Sequence, residues 1–82
     1  MGTGLRMPST ETKVWGFCHN GPMVVVFEDE DRHQDVGVGW GLVGGFFDRA
    51  LQMRDSKLVR ADYVVVDFDG AEGLLTVRRK PA

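Results

Sequence analysis

The residues 36 to 45 read VGVGWGLVGG and use five of the chain's 11 glycines. Within them, Gly39-Trp40-Gly41-Leu42-Val43-Gly44 has the spacing G-x-G-x-x-G, with Gly45 directly behind it. Such glycines let a backbone approach a phosphate closely. A helix starting at the last of them would offer free amides and the positive end of its dipole. Asp67 follows Gly44 by 23 residues, at the end of an apolar run. Gly39, Gly41, Gly44, Gly45 and Asp67 are therefore the candidate site for a nucleotide or small anion.

This segment resembles the dinucleotide-binding fingerprint of Rossmann-fold oxidoreductases, whose acidic residue holds the ribose hydroxyls. The resemblance covers residues 36 to 67 and stops there, because such a domain needs further parallel strands and helices. Trp40 is also bulky where that turn is tight. The competing reading is a strand with one bare face, and it is preferred. Val36, Val38, Trp40 and Leu42 alternate with Gly37, Gly39 and Gly41, which is the period of a strand. On this reading the glycines clear one face for close packing, and no cofactor is required.

Other reactive side chains make weaker constellations. The acidic run Glu28, Asp29, Glu30 and Asp31, with His33 and Asp35, lacks the alternation of a calcium loop, as do Asp67, Asp69 and Glu72. Cys18 and His19 are adjacent and point to opposite sides of a strand, and no C-x-x-C or H-x-x-x-H pair exists. No metal site is expected. Cys18 reads as a small core residue and His19 as a surface residue beside a turn. Ser9 and Ser56 sit in no nucleophile elbow. With no complete catalytic set, the reading leans away from an enzyme.

Basic residues gather late, at Arg49, Arg54, Lys57, Arg60, Arg78, Arg79 and Lys80. They could form a positive patch opposite the acidic 28–35 segment. A nucleic-acid module is thus a third reading; such sheets interleave aromatics with basic residues, and the nearby strand offers Tyr63 and Phe68, but no ribonucleoprotein-type motif is present. The net charge of −2 gives no general attraction to nucleic acid or an anionic membrane.

The elements that must position these residues follow from pattern. "KVWGFC" (13–18) and "MVVVFE" (23–28) are strand-like runs, and Asn20-Gly21 between them is a strong hairpin signal. Pro22 is expected at the start of its strand. "DEDRHQD" (29–35) reads as a loop. Phe46, Phe47, Ala50, Leu51 and Leu58 share one helical face, which predicts an amphipathic helix over about 45–56. "DYVVVDF" (62–68), a turn at 69–73 and "LLTVRR" (74–79) make a second hairpin. The order is β-β-(β)-α-β-β. The expected class is α+β, a mostly antiparallel sheet of four to five strands with one helix on one face.

Residues 1–11 read as a flexible tail and 12–80 as a single domain. At 82 residues, 43% hydrophobic and 27% charged, the composition is that of an ordinary globular domain. One cysteine and no long apolar run point to the cytoplasm.

The most informative feature is a surplus of apolar strand faces. "MVVVF" and "YVVV" are apolar on both sides, and one helix covers only one side. Parity puts Val24 and Val26 on one face, with Met23, Val25 and Phe27 on the other. The leading expectation is a small non-catalytic interaction module. It would be a homodimer, or bind another protein, through an apolar sheet face anchored by Trp15, Phe27, Trp40 and Phe68. Its size also suits the accessory proteins and binding-type inhibitors of mobile elements. The alternative is the anion or nucleotide binder at Gly39–Gly45.

Overall fold

A computed structural model describes residues 11–81. The elements are α1 (Glu11–Val14), β1 (Cys18–Phe27), β2 (Arg32–Leu42), α2 (Val43–Arg54), β3 (Tyr63–Asp69) and β4 (Leu74–Arg79). Single 3-10 turns stand at Glu28–Glu30 and Arg60–Asp62. The fold is α+β, with a single long helix and a four-stranded sheet in the order β2-β1-β4-β3. Each hairpin is antiparallel, but β1 and β4 pair in parallel at the centre, so the sheet is mixed. The tail expected over residues 1–11 lies outside the described residues except for Glu11, which opens α1.

The first hairpin differs from expectation. Asn20-Gly21 does not turn: β1 runs straight through it, with Gly21 at φ 128° inside the strand. The reversal comes at the 3-10 turn, where Asp31 takes the left-handed conformation at φ 51°, ψ 45°. Residues 13–18, read as a strand, contain the end of α1 and the link into β1. Much of the expected loop at 29–35 belongs to β2. A ten-residue β1 pairs with β2 along its whole length and with β4 at Val24–Phe27. A turn at Asn20-Gly21 would give up most of those ladder bonds.

The second hairpin and the helix match the pattern closely. The Asp69 side chain accepts hydrogen bonds from the Ala71 and Glu72 amides and holds the turn into β4. Gly73 ends it at φ 68°, and a Cβ there would collide with the Pro22 carbonyl oxygen. It is the glycine with the strictest requirement in the described chain.

The core lies between the sheet and α2. Met23, Val25 and Phe27 of β1, Leu75 and Val77 of β4, and Tyr63, Val65 and Phe68 of β3 face Val43, Phe46, Phe47, Ala50 and Leu51 of the helix. Val14 of α1 joins the same core. Phe47 is its hub: its ring stacks on Trp15 at 5.0 Å and meets Tyr63 edge-on at 5.5 Å. Both described α-helices thus put their buried side chains on one side of the sheet. The other side carries Val24 and Val26, Val64 on β3, and Leu74 and Thr76 on β4, all set by the register.

Candidate functional site

The structure does not assemble a phosphate cradle at Gly39–Gly45. Gly39 and Gly41 lie within β2, and α2 begins at Val43 without an intervening loop. Two of the amides that would face an anion are already used: Val43 N–H donates to the Phe17 carbonyl at 2.8 Å and Gly44 N–H to the Trp15 carbonyl at 3.0 Å. Gly44 is packed in, since a Cβ there would sit 2.7 Å from Arg60 Nη1 and 3.1 Å from the Trp15 oxygen. Asp67 is on β3, at the opposite edge of the sheet from β2. The G-x-G-x-x-G spacing arises here from a strand's alternation running straight into a helix.

The bare strand face is real, but close packing does not explain it. A Cβ on Gly37 or Gly41 would meet nothing within 4 Å, and one on Gly39 would make ordinary contact with Phe46 at 3.7 Å. The alternation matters for its other face instead. Val38, Trp40 and Leu42 project from the outer side of β2 and are 75%, 77% and 51% exposed. They form a row of apolar side chains along the edge of the sheet.

The phase of the β1–β2 ladder decides what the backbone of that edge offers. Phe17 and Val43, joined by the Val43 amide, continue the register that pairs Cys18 with Leu42. Hydrogen-bonded and unbonded pairs alternate in an antiparallel ladder. His19/Gly41, Gly21/Gly39 and Met23/Gly37 are therefore the bonded pairs. Cys18/Leu42, Asn20/Trp40 and Pro22/Val38 are the unbonded ones. Pro22, which has no amide, falls where none is needed. This also explains why it sits inside β1 rather than at its start. The N–H and C=O groups of Val38 and Trp40 and the N–H of Leu42 consequently point out of the sheet, while the Leu42 carbonyl, at the N-cap of α2, serves the helix.

Of the four aromatic anchors expected, only Trp40 is available. Phe27 and Phe68 are core residues beneath the helix, and Trp15 packs half-buried on Phe47. Sequence parity separated the two faces of β1 correctly. It could not say that Phe27 shares the helix side, because that depends on where α2 lands.

Two smaller readings reverse. His19 is buried, with Nε2 2.8 Å from the Pro22 carbonyl oxygen and its ring edge-on to Phe46 and Phe68. Cys18 is the exposed one of the pair. The strand places them on opposite faces as expected, but the helix covers the histidine's side.

The late basic residues do not form one free patch. Arg78 pairs with Glu28 at 2.9 Å, Arg54 with Glu30 at 2.6 Å and Arg60 with Asp48 at 2.6 Å. The hydrogen bonds that Arg60 donates to Asp48 push its pKa up, and the one that Arg54 donates to Glu30 does the same for Arg54. The acidic segment thus neutralises part of the positive charge it was expected to oppose. Arg49 and Arg79 lie over the Phe46 and Tyr63 rings.

A depression of about 680 Å³ opens between α2 and the segment before β3, lined by Trp15, Asp48, Leu51, Leu58, Arg60 and Lys80 among others. Asp48 and Arg60 satisfy each other within it. Among the described residues no three His, Cys, Asp or Glu side chains gather to hold a metal ion. Among the described residues no helix is long and apolar enough to cross a membrane.

The site and fold together define a small α+β domain with one open, apolar sheet edge. No family model, curated protein or solved structure matches the chain significantly.

Proposed function

We propose that the protein is a non-catalytic interaction module that works by covering the outer face of its sheet, at the β2 end, with another protein chain. A second copy is the favoured partner. The observation that carries this reading is the row Val38, Trp40 and Leu42, exposed together beside unpaired main-chain groups. Large rigid aromatic residues dominate interface energies, and Trp40 is the most exposed large hydrophobic residue described. The module would suit an accessory protein or an inhibitor that acts by binding. The free, exposed Cys18 suits a reducing compartment, with the cytoplasm as the natural setting.

Light scattering coupled to size exclusion tests the reading. The wild-type chain is expected to run above its monomer mass at micromolar concentration. Trp40→Asp should return it to a monomer with an unchanged circular dichroism spectrum. A well-folded wild-type monomer that captures no partner chain would remove the reading.

A further inference from the structure

Resting on that reading, we infer that two copies join by antiparallel pairing of their β2 edges, which extends the two sheets into one. The inference comes from the symmetry of the exposed stretch. The pairing between β1 and β2 shifts register beside Gly37, at Met23/Val24, and Gly37 itself stands at φ 98°. Helix α2 begins at Val43. The regular edge is thus confined to residues 38–42, and its midpoint is Trp40.

A two-fold axis at Trp40 brings Trp40 opposite Trp40 of the second copy and Val38 opposite its Leu42. The two Trp40 residues can exchange both main-chain hydrogen bonds, and each Leu42 amide can donate to the Val38 carbonyl of the other copy. The same operation keeps all the apolar side chains on one face of the joined sheet. A surface that matches itself under a two-fold is what an isologous dimer requires.

Charge and area agree. Residues 36–42 contain no charged side chain, so two copies approach without repulsion. Edges that remain solitary are guarded by charges, bulges or covering elements. The other edge of this sheet has such guards: β3 carries Asp67 and Asp69 and a register shift between Val65 and Asp67. Trp40 presents roughly 200 Å² of surface. With Val38 and Leu42 of both copies, the two Trp40 side chains supply the apolar surface along the seam.

Amide hydrogen exchange on the full wild-type chain, followed by NMR at several concentrations, tests the pairing. The Trp40 and Leu42 amides should exchange at least about tenfold more slowly in the associated state and lose that protection on dilution. The Gly39 and Gly41 amides, bonded to β1, should be protected throughout. Trp40→Pro removes one outward amide without touching the β1 ladder and should abolish association. Val64→Glu, on the outer face far from β2, should leave it intact. If the chain associates but the Trp40 and Leu42 amides exchange freely and Val64→Glu dissociates it, the copies meet face to face: edge pairing is overturned and the interaction reading stands. A wild-type monomer at every concentration overturns the pairing and the preference for a second copy. The exchange pattern is read on the wild-type chain, so it decides the matter even if Trp40→Pro fails to fold.

Discussion

The two edges of the sheet are built on opposite principles. At the β3 edge the strand is bulged, carries Asp67 and Asp69, and lies near α1 and the aromatic cluster of Trp15, Phe47 and Tyr63. At the β2 edge, residues 37–42 have a bare inner face, no charge and three exposed apolar side chains. The closed side concentrates the aromatic packing of the domain, and the open side its exposed apolar side chains. A chain of this size has a small core, so side chains spent on the open edge contribute nothing to the monomer.

The contrast predicts a steep gradient in mutational cost. Phe47→Ala, at the hub of the closed side, should lower the free energy of unfolding by about 3–5 kcal/mol in a urea titration. A loss below about 1 kcal/mol would mean that the aromatic cluster does not hold the fold together.

Gly73→Ala comes next. The left-handed backbone and the collision with the Pro22 carbonyl should together cost about 2–4 kcal/mol. Thermal melting would show it, and Gly39→Ala, where a Cβ makes ordinary contact, is the control expected to stay near wild type. Equal losses at the two glycines would erase the distinction between a tight turn and a loose edge.

Gly45→Ala should move the other way. Gly45 is exposed in the first turn of α2, and its missing Cβ faces open space. The gain in helix propensity should stabilise the domain by about 0.5–1 kcal/mol, read as a raised melting temperature. Destabilisation there would restore a special role for the glycine pair.

The smallest effect is expected at Arg60. Its ion pair with Asp48 is about half exposed, so Asp48→Asn should cost less than about 1 kcal/mol and the difference should shrink further in high salt.

The fold was legible where local chemistry and tertiary need agreed. The helical face Phe46, Phe47, Ala50 and Leu51 is in the sequence as spacing, and the structure buries those same residues. The turn at 69–73 is set by the Asp69 side chain and Gly73, both local signals. Asn20-Gly21 was an equally strong local signal and failed. Gly21 accepts a positive φ inside a strand, and the ladders on both sides of β1 outweigh a turn there. The candidate site was legible only as an alternation of glycine with apolar residues. A bare strand running into a helix and a phosphate-binding turn share that spacing.

By itself, the sequence determined the class of the domain, the helix, the second hairpin and the division of β1 into two faces. These follow from periodicity and turn chemistry within a few residues. Only the tertiary structure decided that β1 and β4 pair in parallel, that β2 is an edge, and that Trp40 is exposed while Phe27 and Phe68 are core. The same division made His19 buried and Cys18 exposed. The physical reason is that a strand's alternation separates two faces without ranking them. Which face is inside is settled by where α2 comes to rest on the sheet, and no local pattern carries that.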